Sequence, residues 1–155
     1  MLHQYLERRF NPNVSSTIGS NFFVKYLKIP NVEAPFTLQI WDLAGQSRFK
    51  WVRHEFYKAA KGIVYVFDLT RRDTFDHIYG WKTEIEKAIK NFSSILVGNK
   101  HDLINSEYKI IENEESENLR KQIGACAYYE TSAKIGTGVE EIFTTLVSYL
   151  HKLSY

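Results

Sequence analysis

Read as a helix, the opening residues MLHQYLERRF place Leu2, Tyr5, Leu6 and Phe10 at helical spacing, the pattern of an amphipathic segment. No Ser, Thr, Asp or Asn stands before them as a cap. NPNVSSTIGS (11–20) is polar, holds Pro and Gly, and reads as an exposed loop. Two strand-like runs follow, NFFVKYLKI and PFTLQIWDL, and the bridge PNVEAP predicts an antiparallel hairpin. SRFKWVRHEFYKAAKG reads as a helix ending at Gly62. IVYVFDL (63–69) and SILVG (94–98) are unbroken apolar runs, as expected of strands buried on both faces. Between them, TFDHIYGWKTEIEKAIK puts Phe75, Ile78, Trp81, Ile85 and Ile89 on one helical face. ENEESENLRKQIG predicts a polar helix with acids in its first turn and Gly124 past its end. CAYYE (126–130) is a short last strand. GVEEIFTTLVSYLHKL closes the chain, with Val139, Ile142, Phe143, Leu146, Leu150 and Leu153 as its apolar stripe.

Strands alternating with amphipathic helices predict an α/β domain. About five strands are expected in one mostly parallel sheet, covered by helices on both faces, with residues 22–29 antiparallel at one edge. No repeat or low-complexity linker divides the chain, so residues 1–155 are expected to form a single domain. In such sheets ligands bind at loops after the carboxyl ends of strands.

Three of those loops carry chemistry. Asp42 follows the second strand, and a carboxylate there can hold Mg²⁺ through water. Gly45, three residues on, leaves its backbone N–H open to close approach by a phosphate oxygen. Gln46 can orient an attacking water without titrating. After SILVG come Asn99, Lys100 and Asp102. Asp102 is an acceptor-only fork that matches two adjacent N–H donors of a planar base, which guanine presents and adenine does not. Asn99 can tie neighbouring loops together, and the Lys100 stem can cover a flat ring. After CAYY, backbone N–H groups around Ser132 and Ala133 can donate to a carbonyl such as guanine O6. Taken singly, Asp-x-x-Gly is usually only a turn, and Asn99 to Asp102 can be one too. Three such motifs in order, each directly after a predicted strand, do not fit coincidence.

Composition narrows the setting. Hydrophobic residues make up 44% and charged residues 25% of 155 residues, an ordinary globular balance. A net charge of +2 is too weak to argue for nucleic acid or an anionic membrane. Cys126 stands alone, so no intramolecular disulfide forms, and a reducing, cytoplasmic location is expected. No apolar run reaches the roughly 20 residues of a membrane span. Neither end carries a lipidation motif, so no lipid anchor is expected from these residues.

With these motifs in place, the chain resembles a Ras-superfamily small GTPase of the Rab-like branch over essentially all its length. WDLAGQSRF resembles the family's third motif and switch II, NKHD and ETSAK its two guanine-recognition motifs, and SSTIGSNF its switch I. The resemblance implies a P-loop NTPase-like fold, GTP/GDP and Mg²⁺ as ligands, and GTP hydrolysis in a molecular switch that recruits effectors in membrane traffic or signalling. It places Thr17 and Asp42 at Mg²⁺, and Gln46 as the glutamine that orients the hydrolytic water. It assigns Gly45, Asn99, Lys100, Asp102, Ser132, Ala133 and Lys134 to the nucleotide. It matches Phe22, Trp41 and Tyr57 to three aromatics presented to effectors between the switches, and implies an exchange factor and a GTPase-activating protein as further partners. Ser47 and Ala59 depart from the usual Glu and Gly.

The resemblance also carries an expectation about the N-terminus. The family begins with a buried strand, then G-x-x-x-x-G-K-[ST], then a helix, and MLHQY matches that helix a few residues after the lysine. The domain is therefore expected to be N-terminally truncated, lacking the first strand and phosphate-binding loop. Three readings stay open: a misplaced start codon, a short interaction module that binds partners without hydrolysing GTP, and a non-functional homologue. Residues 1–155 alone are expected to bind GTP and GDP weakly and not to hydrolyse GTP measurably.

Overall fold

The computed structural model describes residues 1–13, 17–46, 49–104 and 110–153. The elements run α1 (Leu2–Glu7), β1 (Ser20–Leu27), β2 (Phe36–Leu43), α2 (Lys50–Lys58), β3 (Gly62–Asp68), α3 (Arg72–Asp76), α4 (Ile78–Ala88), β4 (Ser93–Asn99), α5 (Asn113–Ile123), β5 (Ala127–Glu130) and α6 (Val139–Leu153). A single 3₁₀ turn (His101–Leu103) follows β4.

The three apolar runs become β3, β4 and β5, paired in parallel in that order. Ile95, Leu96 and Val97 are fully buried, as expected of the central strand of a sheet covered on both faces. On one face lie α3, α4 and α5, with Phe67, Leu69, Phe75, Ile78, Ile85 and Leu119 in the core. On the other, α6 packs through Val139, Ile142, Phe143, Leu146 and Val147, joined by Tyr5 of α1. The Tyr5 and Phe143 rings stack at 3.8 Å. Leu153, expected on the α6 stripe, is the last residue of the helix and is 75% exposed.

The hairpin is present, with Phe22 opposite Trp41 and Leu27 opposite Phe36. It forms a separate two-stranded antiparallel sheet. The expectation of one five-stranded sheet is corrected here: among the described residues no ladder joins β2 to β3. The helix expected from Thr74 onward is two pieces, α3 and α4, meeting at His77. The α5 N-terminus carries a reciprocal cap in which Glu112 and Glu115 each accept from the other's backbone N–H, and Gly124 closes the helix at φ +71°.

Candidate nucleotide-binding site

The ends of β4 and β5 fold into one unit. His101 N–H donates to Thr131 O at 2.9 Å, and Thr131 N–H donates to Gly98 O at 2.8 Å. Asn99 Oδ1 accepts from Ala133 N–H at 3.1 Å and from the Thr131 hydroxyl at 3.2 Å. The Ser132 hydroxyl donates to Asp102 Oδ1 and accepts from Ile135 N–H. Ser132 is 1% exposed and cannot rearrange cheaply. The two motifs, 30 or more residues apart in sequence, thus fix each other. Asp102 Oδ2 has no partner among the described residues, which leaves an acceptor beside a rigid loop.

Two sequence expectations change. The Ser132 N–H donates to Thr137 O at 3.1 Å, and the Ala133 N–H is held by Asn99, so neither is a spare donor for a base carbonyl in this conformation. The Lys134 side chain is exposed and belongs to neither network. Lys100 sits at φ +69° and its Nζ lies 2.7 Å from Asp68 Oδ2. That pair anchors the lysine's head and leaves its stem beside the loop. Burial would push the Asp68 carboxyl up; hydrogen bonds from Lys100 and Thr70 outweigh it and hold the group below its ordinary value. Asp68 was missed in the sequence, although it too ends a strand, and the rule that exposed the other three loops would have found it.

Thr17 and Asp42 come together across the hairpin. The Thr17 hydroxyl donates to Asp42 Oδ2 at 2.9 Å, and Ala44 N–H donates to Gly19 O at 2.9 Å. Two hard oxygens at hydrogen-bond distance suit a cation that keeps several of its own waters, as Mg²⁺ does. No cluster of three or more His, Cys, Asp or Glu exists among the described residues, so a cage made only of those side chains is not on offer there. Gly45 and Gln46 follow as exposed residues. The sequence expectations at Ser15, Ser16 and Ser47 lie outside the described residues. A surface cleft of about 420 Å³, formed by Lys50, Trp51, His54, Glu84 and Lys87, is lined by none of these motif residues.

The aromatic surface needs a correction. Phe22 and Trp41 lie 4.5 Å apart by ring centroid and both are exposed. Tyr57 does not join them. It is 4% exposed, and its hydroxyl donates to Glu84 Oε1 at 3.0 Å. Successive residues on a helix point about 100° apart, and α2 turns Tyr57 into the core and Phe56 outward. The Phe56 ring sits 4.6 Å from Trp41. The tandem Phe56-Tyr57 hid this choice of phase. The sequence reading also passed over Arg53, which is 4% exposed and forks onto Glu84 at 2.8 and 3.0 Å.

Comparison with known proteins decides the family. The model of the Ras family matches residues 1–152. The chain belongs to the Ras family. Its Rab-like character is borne out by relatives. The Ras-related protein Rab-1 of Theileria annulata is 37% identical over 152 residues, 97% of this chain and 67% of that protein. SEC4 of Saccharomyces cerevisiae is 37% identical over 153 residues, 98% of this chain and 68% of its own length. Rab-1D of Dictyostelium discoideum is 39% identical over 132 residues, 84% of this chain and 62% of its own. This Ras-family chain therefore spans about two thirds of the length of those relatives. The resemblance drawn from WDLAGQ, NKHD and ETSAK is borne out at the level of family and fold.

Proposed function

We propose that this polypeptide acts as a guanine-nucleotide switch in membrane traffic, binding GTP and GDP with Mg²⁺ and hydrolysing GTP. The observation that carries the reading is the mutual fixing of Asn99, Asp102, Ser132 and Ala133, which builds a rigid acceptor wall for one planar base. The Asp102 carboxylate would accept from the two adjacent N–H donors of guanine with one oxygen each, Oδ1 keeping a second lone pair beside the Ser132 hydroxyl that holds it in place. Lys100, anchored by Asp68, would lay its stem against the ring. Thr17 and Asp42 would hold Mg²⁺, which when bound neutralises charge on the phosphate oxygens. Gly45 would donate its N–H to the terminal phosphate, and Gln46 would orient the attacking water. Exchange factors, GTPase-activating proteins and effectors would read the state of these loops, effectors through the Phe22, Trp41 and Phe56 surface.

Base specificity tests the reading. Asp102→Asn places an amide donor where guanine needs an acceptor, and xanthine carries a carbonyl at that position. In a competition titration the variant should lose guanine preference over xanthine by about 100-fold or more, since a site left with unpaired polar groups discriminates strongly. The titration is run on the 155-residue chain at nucleotide concentrations up to millimolar, and again with a peptide supplying a strand and a G-x-x-x-x-G-K-[ST] loop. An unchanged preference removes Asp102 from base recognition.

A further inference from the structure

Arg53 is a buried cation with three tasks. Its Nε and Nη2 fork onto Glu84 at 2.8 and 3.0 Å, and its plane lies over the Trp81 ring at 4.7 Å. Its Nη1 donates to two backbone carbonyls, Ala44 O at 2.9 Å and Gln46 O at 2.8 Å. Those carbonyls flank Gly45. Two carbonyl oxygens that converge on one point repel each other unless a cationic donor sits between them, and Arg53 supplies it.

The consequence for Gly45 follows from peptide geometry. The Ala44–Gly45 peptide is trans, as is every peptide bond among the described residues. In a trans peptide the C=O and the following N–H point in opposite directions within one rigid plane. Arg53 draws the Ala44 carbonyl inward, so the Gly45 N–H must point outward. The other end of Ala44 is pinned as well, its N–H donating to Gly19 O at 2.9 Å. The plane has little freedom to flip. Gly45 is exposed, and its N–H has no partner among the described residues.

We infer that Arg53, locked by Glu84, is the positioning residue that aims the Gly45 N–H at the terminal phosphate and so sets the preference for nucleoside triphosphate over diphosphate. The inference rests on the nucleotide-switch reading above. Arg53 touches no nucleotide; it acts through the Ala44–Gly45 plane. It also ties the loop to α4, so a shift of Gly45 on loss of the terminal phosphate is felt at Glu84 and Trp81.

The test separates positioning from support. Replacing both charges, Arg53→Met with Glu84→Met, leaves no unpaired buried charge and keeps similar volume, at the cost of the acceptor for the Tyr57 hydroxyl. It strips the two carbonyls of their donor. Affinities for Mg·GTP and Mg·GDP are measured on the 155-residue chain at up to millimolar nucleotide, for wild type and double variant, beside their melting temperatures. The ratio of GTP to GDP affinity should fall about tenfold or more in the double variant, with GDP affinity changed about twofold or less, as expected for losing one charge-assisted hydrogen bond. A merely structural role lowers both affinities together and leaves the ratio at the wild-type value, which overturns the inference while the nucleotide-switch reading stands. Arg53→Lys, which keeps the charge but cannot form the fork and hold both carbonyls at once, should lower the ratio in the same direction, and serves if the double variant does not fold. A wild-type chain that binds neither nucleotide overturns this inference together with the reading beneath it.

Discussion

Gln46 is exposed at the end of β2's loop, and its carbonyl, not its side chain, is what Arg53 and Phe49 hold. Gln46→Leu therefore leaves the loop's backbone anchors in place and removes only the group proposed to orient water. With a peptide supplying a strand and a G-x-x-x-x-G-K-[ST] loop present, single-turnover GTP hydrolysis should slow by about 100-fold, the scale of losing a positioning group, with nucleotide affinity nearly unchanged. Equal rates would assign Gln46 another role. A second residue makes a stability prediction. Tyr65 is 3% exposed in β3, and its hydroxyl has no hydrogen-bond partner among the described residues. Burial pushes that phenol well above its ordinary value. Tyr65→Phe keeps the ring and deletes an unsatisfied polar atom, so it should leave the fold as stable or more stable by about 1 kcal/mol. Thermal melts of the two proteins decide it. Legibility at this scale depended on whether a residue's role is local. Asn99, Asp102, Asp42 and Gly45 could be read because strand ends place them and short spacings join them. Arg53 could not, since its partners Glu84 and Trp81 lie about 30 positions away and only packing brings them near. Phe56 was missed for a narrower reason: two adjacent aromatics on a helix differ in direction, and the sequence does not fix the helix phase to one residue.

The contact between α2 and α4 is the element on which acid should act first. Arg53 is 4% and Glu84 14% exposed, so this ion pair is largely out of water. Burial alone would raise the Glu84 carboxyl; hydrogen bonds from Arg53 and Tyr57, with the Arg53 charge, hold it below its ordinary value of 4.5. A carboxyl lower in the folded than in the unfolded state stabilises the fold above the unfolded value, and that contribution is lost as pH falls through the folded one. Wild-type stability should therefore drop as pH falls below about 4.5. Glu84→Gln should cost about 3 kcal/mol at neutral pH, because it leaves Arg53 buried without its counter-charge. The same variant should show a flatter decline in acid. Melting temperatures between neutral pH and pH 3 test both halves, and parallel curves would show that Glu84 does not govern the transition. Elements were the most readable level of this chain. β3, β4, β5 and α6 appear where unbroken or periodic apolar residues put them, because burial on two faces or on one stripe leaves a plain pattern, and α5 appears where its first-turn acids and Gly124 put it. The break at His77 left no such trace: both pieces keep Phe75, Ile78 and Ile85 buried on the same side, so the periodicity runs through it.

The whole molecule departs most from its sequence-based expectation in how the strands assemble. Each strand can be recognised from its own residues, but which edges meet is a long-range matter that no local pattern encodes. Here β3 ends the parallel sheet, and its outer edge carries no strand among the described residues. Val66 on that strand is 41% exposed, and Ile63 and Val64 are only partly covered. The hairpin is also unpaired on both outer sides among the described residues and exposes Val24 and Tyr26. A seven-residue strand with an open edge and apolar side chains is a template for pairing with other chains. The 155-residue chain should therefore self-associate as its concentration rises. The contrast between two valines in adjacent strands makes the cause testable. Val66→Lys puts a charge on the half-exposed end strand, where lysine discourages pairing, and should reduce association while changing stability by less than about 1 kcal/mol. Val97→Ala, at a fully buried position in β4, should instead cost about 2 kcal/mol or more through the cavity it leaves, and raise association through partial unfolding. Sedimentation velocity across a concentration series, paired with thermal melts, reads both. If Val66→Lys leaves the sedimentation profile of the wild type unchanged, the edge of β3 is not where the chains meet.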